Sequence, residues 1–277
     1  MGALLAGASI ELSARDPLAG AALRELFAPG TAVFINYAAT DTHHAAVEAA
    51  TRLRRAGFEP VPHVAARYLL GYTQLNDFLA RAADDAGVGQ ALVVGGDPAR
   101  PAGSYDSAGQ LIETGLFQKH GIARVYFAGY PQGHPRIGAA ALETALRGKL
   151  AAAKAGGLEA RIATQFGFEA EPILAWLGRL RAQGIGAPVR IGLAGPASVA
   201  ALSKFAVRCG VGNSLRALAS GHTSFARLLV EAGPEPIIRA LAGAETGALG
   251  IAGLHFFTFG GAGRTSAMIR TMLRGAA

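Results

Sequence analysis

The sequence predicts an α/β fold, a single (β/α)8 (TIM) barrel that occupies residues 1–277, and three observations lead to it. Eight short runs of β-branched and aromatic residues alternate with Ala- and Leu-rich stretches of helical periodicity. The runs are apolar on both faces, as in a parallel sheet that helices cover. The chain length also agrees with the roughly 250 residues that are typical of this barrel.

Strands and helices alternate along the whole chain. We predict strands at Ala8–Leu12, Ala32–Tyr37, Glu59–Val64, Ala91–Gly95, Arg124–Gly129, Arg161–Phe166, Val189–Leu193 and Leu254–Phe259. We predict helices at Leu18–Phe27, His43–Ala56, Tyr72–Ala86, Ser107–His120, Ile137–Ala155, Glu171–Gln183, Val199–Cys209 and Thr265–Leu273. Two more stretches of helical pattern, 214–221 and 224–233, predict extra helices between strands seven and eight.

Several other classes of protein are excluded by composition and motifs. A doubly wound sheet would carry a glycine fingerprint after its first strand, but the chain reads ELSARDP there. No membrane span is predicted, because the longest uncharged run, 246–263, contains a histidine and several glycines. The basic residues behind the net charge of +7 are scattered along helices, which argues against a nucleic-acid partner. Without an export signal, and with Cys209 as the single cysteine, we expect a cytoplasmic protein.

Candidate functional residues, most of them polar, lie where the predicted strands end, and the active site of such a barrel lies at these strand ends. They are Glu11, Asn36, Tyr37, His63, Gly95, Gly96, Asp97, Tyr130, His134 and Gln165. We expect Glu11 and Asp97 to project into one apolar mouth, where burial and mutual repulsion raise the pKa of at least one carboxyl group. Such a group suits general acid catalysis near neutral pH, although for Glu11 a hydrogen-bonded structural carboxylate is an equal alternative.

The histidines do not predict a metal site. The chain contains no ligand spacing such as HExxH or CxxC. His43 and His44 are consecutive residues of a predicted helix, so we expect their side chains to point apart and not to share an ion.

The whole chain resembles the methylenetetrahydrofolate reductase family of flavin-containing (β/α)8 barrels. The motifs that carry the resemblance occur in order at the strand ends: SIEL, INYAAT, PHV, VVGGDP, AGYPQGHP, ATQFGF and LHFFTF. The combination of YPxxHP with a following TQF is rather specific. The resemblance implies an oxidoreductase of one-carbon metabolism that interconverts 5,10-methylenetetrahydrofolate and 5-methyltetrahydrofolate, with FAD as cofactor and NADH or NADPH as hydride donor.

The resemblance also implies roles for individual residues. Glu11 protonates the folate and opens its five-membered ring to an iminium, the species that a hydride can reach. Asp97 is the second catalytic residue, beside flavin and pterin. Gln165 hydrogen-bonds the pterin, and Phe205 forms an apolar wall for the substrate or the nicotinamide. The residues implied to line FAD are Asn36, Tyr37, His63, Gly95, Gly96, Asp97, Tyr130 and His134, with Lys149 against a phosphate.

Some positions depart from the family pattern, and they bear mostly on flavin. Family members commonly carry an arginine where this chain has Gly95, and acidic and amide residues where it has Leu142 and Ala145. We therefore expect weak or partial FAD occupancy. A flavin-independent NADH-folate reductase and a non-catalytic folate-binding subunit remain alternative functions. A homo-oligomer is compatible with the sequence. A phosphosugar aldolase is disfavoured, because no predicted strand contains the lysine it would need.

Overall fold

The barrel is present in the computed structural model, which describes residues 1–36, 42–197 and 233–275. Eight strands follow one another in chain order and close into a barrel, and the pairs whose register is resolved are parallel. The strands are β1 (Ser9–Ser13), β2 (Ala32–Asn36), β3 (Glu59–Ala65), β4 (Gln90–Val94), β5 (Arg124–Gly129), β6 (Glu159–Thr164), β7 (Val189–Ala194) and β8 (Ile251–Phe257). The predicted fold class is confirmed, and the predicted strands differ only at their ends.

Helices occupy most of the connections between strands. They are α1 (Gly2–Ala6), α2 (His43–Arg55), α3 (Tyr72–Ala86), α4 (Ala108–Glu113), α5 (Leu116–Lys119), α6 (Ala139–Ala155), α7 (Ala170–Ala182), α8 (Glu235–Gly243) and α9 (Ala262–Arg274). In the described ranges, no helix combines the length and the apolar character needed to cross a membrane.

Two helix predictions need correction, and three others fall outside the described residues. The helix expected at Leu18–Phe27 is only a short 3-10 turn, Ala21–Glu25, which follows Gly20 in an extended conformation. The helix expected at Ser107–His120 is broken in two by Gly115, whose φ of 70° is left-handed. The predicted helices at 199–209, 214–221 and 224–233 lie outside the described residues, and α8 is the helix described between β7 and β8.

The strand register decides which side chains face the barrel axis. Residues paired in register on neighbouring parallel strands point to the same face. The register pairs Glu11 with Phe34, His63 with Leu92, and Leu92 with Tyr126. The Phe34 ring contacts the rings of both His63 and Tyr126, with centroids 6.4 and 5.1 Å away. These five side chains therefore share the inner face, and their sequence neighbours face the helices.

The chain forms two compact units. Unit 1 comprises Met1–Ser9, Gly129–Thr144 and Ala163–Ala277, and unit 2 comprises Ile10–Ala128 and Ala145–Ile162. The organisation of residues 1–277 as one barrel domain stays a prediction.

Candidate functional site

Glu11 lies on the inner face of unit 2 and is held by a neighbouring strand. It is the third residue of β1, between the buried side chains of Ile10 and Leu12, and its own side chain is 12% exposed. The Asn36 amide, at the end of β2, donates a 2.5 Å hydrogen bond from Nδ2 to Glu11 Oε1. The structure therefore brings together Glu11 and Asn36, two of the residues predicted from strand ends.

His63 is the third member of this group. Its Nε2 lies 3.3 Å from Glu11 Oε2, and its side chain is 17% exposed. Nε2 is buried and makes no hydrogen bond of suitable angle within the described part of the chain, so this contact is a close approach. An imidazole and a carboxyl group at this distance can pass a proton between them after a small rotation of either side chain.

Asp97 occupies a different environment from Glu11. It lies three residues beyond β4 and is exposed to solvent. The expectation that Asp97 projects into an apolar mouth is therefore wrong. The Glu11 side chain is mostly enclosed, whereas Asp97 lies beyond the end of its strand, in solvent.

Gly96 sets the path of the chain into Asp97. Its φ of +98° favours glycine, and an added Cβ would lie 3.5 Å from the Cβ atoms of Ala65 and Arg67. Gly95 is different, because the nearest atom to an added Cβ is the Asp106 carbonyl oxygen at 3.8 Å. Gly96 is thus required by the backbone and Gly95 is not.

Arg67 is a residue that the sequence analysis missed. It follows β3, and its backbone N–H donates to the Gly95 carbonyl at 2.8 Å. Its guanidinium donates to the carbonyls of Pro98 and Asp106, both at 2.9 Å. Arg67 therefore fastens the loop that carries Asp97. Its position four residues after His63, just past a strand end, is the feature that could have identified it.

A cavity of about 400 Å³ opens beside this loop in unit 2. Its walls combine cationic, imidazole and amide groups with the backbone of the loop. The lining residues are Thr42, His43, His44, Arg67, Tyr68, Leu69, Gln74, Pro98, Arg100 and Ala102. The two arginines among them make the cavity suited to an anionic group.

His43 and His44 meet at the start of α2, contrary to expectation. Their ring centroids are 4.1 Å apart, and the ligand atoms of His43, His44 and Asp77 all lie within 4.8 Å of one another. The prediction that the two side chains point apart is wrong, because in the first turn of a helix no preceding turn restricts the side-chain rotamers, and the two rings can meet. Burial lowers the pKa of His43 despite its 3.1 Å contact with Asp77, and Arg81 together with His43 lowers the pKa of Asp77.

Lys149 belongs to α6, and its side chain lies against the outer face of the strands of unit 2, the face that the helices cover. Its Nζ lies 5.4 Å from the centroid of Phe127, the neighbour in sequence of inward-facing Tyr126. Burial lowers the pKa of Lys149 to about 8. The contact of Lys149 with a cofactor phosphate stays a prediction.

The predicted residues of unit 1 lie at the ends of β5 and β6. The rings of Tyr130 and His134 pack edge to face with centroids 5.2 Å apart, and His134 Nδ1 accepts a hydrogen bond from the Arg136 N–H. Gln165 follows β6, and its backbone N–H donates to the Gly129 carbonyl at 2.8 Å. Its Oε1 accepts from the Phe166 N–H at 3.0 Å, so Nε2 is the end of the amide that can donate to a ligand.

An aromatic cluster accompanies Gln165 in unit 1, and the sequence analysis did not predict it. The Phe166 ring packs edge to face against Phe168, Phe257 and Phe259, with centroids 5.6, 5.3 and 5.3 Å away. Gly192 makes room for Phe257, because an added Cβ would lie 2.9 Å from that ring. Such a cluster offers apolar flat faces against which a planar ring can pack.

Backbone strain occurs at the edge of this cluster. Phe259 has a φ of +48°, the one non-glycine residue with positive φ in the described ranges. Residues held in this conformation concentrate at ligand and active sites. Two predicted residues cannot be placed, since Tyr37 and Phe205 lie outside the described residues.

Comparison with known proteins bears on the fold. No protein-family model matches the chain. An uncharacterized protein from Clostridium thermocellum that binds two copies of 5-methyl-5,6,7,8-tetrahydrofolic acid is similar in structure, with a TM-score of 0.60, 9% identity, and coverage of 96% of this chain and 94% of that chain. Dihydropteroate synthase from Thermus thermophilus is similar with a TM-score of 0.51, 16% identity, and coverage of 96% and 92%. Its complex with 6HMPPP gives the same values. At these identities the likeness shows the fold.

Proposed function

We propose that this chain binds a reduced folate and interconverts 5,10-methylenetetrahydrofolate and 5-methyltetrahydrofolate by hydride transfer. The observation that carries the proposal is the Glu11 carboxyl group, only 12% exposed, which accepts a hydrogen bond from Asn36 on the inner face of the barrel. The resemblance of the SIEL, GGDP, YPQGHP and TQF motifs supports the reaction type. The similar fold of a protein that binds 5-methyltetrahydrofolic acid supports the ligand class.

Glu11 acts in this proposal as the proton donor. Asn36 fixes one carboxyl oxygen, so the other oxygen is oriented to hold the proton that it delivers to the folate. Protonation opens the five-membered ring to an iminium, and a hydride then reduces the iminium carbon to the methyl group. His63, at 3.3 Å from Oε2, is placed to return a proton to Glu11 after each turnover.

Gln165, in unit 1, is the residue to which the resemblance assigns a hydrogen bond with the pterin. The Gln165 amide can hydrogen-bond a ring edge that alternates donors and acceptors. Phe257 and Phe259 are the partly exposed rings of the cluster around Phe166, and they can pack against a face of a flat heterocycle. Asp97 stays a candidate for contacting the ligand from the solvent side.

The described residues do not fit a tightly held FAD. Gly95 has no side chain where relatives carry an arginine, and Lys149 packs over Phe127 on the helix-facing side. Flavin therefore takes no part in the proposed reaction. The reductant is NADH or NADPH, which delivers its hydride to the iminium and leaves as the oxidised nicotinamide.

Ligand binding is the first experiment that tests the proposal. Isothermal titration of the purified protein with 5-methyltetrahydrofolate is expected to give saturable binding, and NADH oxidation is expected to depend on methylenetetrahydrofolate. A protein that shows neither would contradict the whole proposal. An absorption spectrum of the same sample measures any flavin.

A non-catalytic folate-binding subunit is a second candidate. It is favoured by the structural similarity to a protein that binds 5-methyl-5,6,7,8-tetrahydrofolic acid, and by the exposed position of Asp97. The two candidates separate in one assay. A subunit binds 5-methyltetrahydrofolate without any folate-dependent NADH or NADPH oxidation, whereas the enzyme shows both.

A further inference from the structure

We propose that His43, His44 and Asp77 form a binding site for one divalent transition-metal ion of the Zn²⁺ class, separate from the Glu11 group. The three side chains come from the start of α2 and the first turns of α3, and their ligand atoms lie within 4.8 Å of one another. Two imidazoles and one carboxylate are the ligand set that Zn²⁺ takes in many catalytic sites.

The geometry of His43 and Asp77 already matches that of a metal-bound pair. His43 Nε2 lies 3.1 Å from Asp77 Oδ2. Two ligands about 2.0 Å from a tetrahedral ion are roughly 3.3 Å apart, so an ion can replace the proton between these atoms with little movement. His44 is exposed, and rotation of its side chain brings the third ligand to the ion.

Neighbouring side chains hold His43 and Asp77 in place. Arg81 Nε donates to Asp77 Oδ1 at 3.0 Å, which leaves Oδ2 directed at His43. Gln74 Oε1 accepts from the Leu70 N–H at 2.7 Å, and its Nε2 lies 3.4 Å from His43 Nδ1. The Arg81 contact is of the kind that orients a ligand carboxylate in metal sites, whereas Gln74 presents a donor to His43 Nδ1.

An open position beside the ion follows from the adjoining cavity. His43 and His44 both line the cavity of about 400 Å³, which also contains Arg67 and Arg100. An ion held by three protein ligands keeps a position for water or an anion, and the two arginines favour the anion. A metal-bound anion would also offset the excess of positive charge around a site with a single carboxylate.

Metal binding is measured on untagged full-length protein, first stripped with a chelator. Co²⁺ is titrated alone and followed by its visible absorption, and Zn²⁺ is titrated by calorimetry. We expect one ion per chain and a tetrahedral Co²⁺ spectrum. His44→Gln and Asp77→Asn are expected to weaken binding by more than the roughly 10–100-fold that loss of a group supporting a ligand costs. Asp84→Asn, an exposed carboxylate on the same helix α3, is the matched control and is expected to bind as the parent does.

A gain-of-affinity variant keeps the test independent of loss through misfolding. An ion on His43 Nε2 moves the ring proton to Nδ1, which then faces the donor Nε2 of Gln74. Gln74→Glu supplies an acceptor there and is expected to tighten binding roughly tenfold. Absence of saturable binding, or equal affinity in the parent, His44→Gln and Asp77→Asn, would overturn the proposal and leave the cluster as a structural hydrogen bond.

Discussion

Glu11 and Asn36 are joined by a 2.5 Å hydrogen bond from the Asn36 amide to Glu11 Oε1 on the inner face of the barrel. The bond links the middle of β1 to the last residue of β2, so it fixes the carboxyl group against two strands at once. This is the arrangement expected of an acid that must present one chosen oxygen to a substrate.

Removal of the Asn36 amide tests this relationship. A hydrogen bond to a charged group contributes about 1.5–3 kcal/mol, and each 1.4 kcal/mol is a factor of ten. Asn36→Ala is therefore expected to lower kcat/KM for methylenetetrahydrofolate roughly ten- to a hundredfold, with a smaller effect on binding of 5-methyltetrahydrofolate. Equal loss of binding and of turnover would mean that Asn36 contacts the ligand and does not orient Glu11.

The flavin content of the purified protein follows from Gly95. We expect FAD to be absent or well below one per chain after dialysis. Gly95→Arg restores a guanidinium, and the 3.8 Å clearance to the Asp106 carbonyl allows the new Cβ. The variant is expected to bind FAD roughly ten- to a hundredfold more tightly, as measured by flavin fluorescence quenching. Stoichiometric FAD that resists dialysis in the unmodified protein would contradict the expectation.

The two adjacent glycines before Asp97 should respond differently to alanine. Gly96→Ala places a Cβ on a backbone with φ of +98° and is expected to destabilise the protein by about 1–2 kcal/mol. Gly95→Ala is the matched control, and its free energy of unfolding should change by less than about 0.5 kcal/mol. Urea unfolding followed by circular dichroism measures both. A similar decrease in the free energy of unfolding for both variants would show that the turn does not depend on Gly96.

Lys149 gives a prediction about pH and stability. Its pKa is lowered from 10.5 to about 8 in the folded protein because burial disfavours the charged amine. Between pH 8 and 10.5 the unfolded chain binds a proton that the folded chain does not, so this group makes stability rise with pH in that window.

Replacement of Lys149 by methionine should remove this dependence. Lys149→Met is expected to stabilise the protein at pH 7 by up to about 3 kcal/mol, with the difference from the parent disappearing by about pH 10.5. Thermal or urea unfolding across this range provides the measurement. A destabilised variant at pH 7 would show that the amine has a stabilising partner, and a loss of cofactor affinity would return Lys149 to the ligand site.

The strands and the inner-face residues could be predicted well from the sequence, because alternation of apolar runs with helical periods is a strong local pattern. Glu11, Asn36 and His63 were identified by their places near strand ends, and all three meet. For Lys149, the resemblance implied a role but no face of the barrel. Its spacing from Leu146 and Ala153, the buried residues of α6, places it on their side of the helix, and this spacing could have indicated the helix-facing position.

Other features depend on backbone details that periodicity does not carry. Gly96 turns the chain so that Asp97 is exposed, and the positive φ of Phe259 is set by its surroundings in the fold. The meeting of His43 and His44 occurs in the first turn of a helix, where no preceding turn restricts the side-chain rotamers. Loop geometry and helix ends are thus the parts of the site that the sequence pattern does not predict.

Turnover by the Glu11→Gln variant is the most direct test of whether Glu11 donates the proton to the folate. Glutamine keeps the shape, and its Oε1 can still accept from Asn36, but its amide has no acidic proton to transfer to the folate. With methylenetetrahydrofolate and NADH or NADPH, the variant is expected to lose about 10²–10⁴-fold in folate-dependent oxidation of the nicotinamide, while its affinity for 5-methyltetrahydrofolate stays within a few-fold of the parent. Folate turnover at the parent rate in Glu11→Gln would contradict the account.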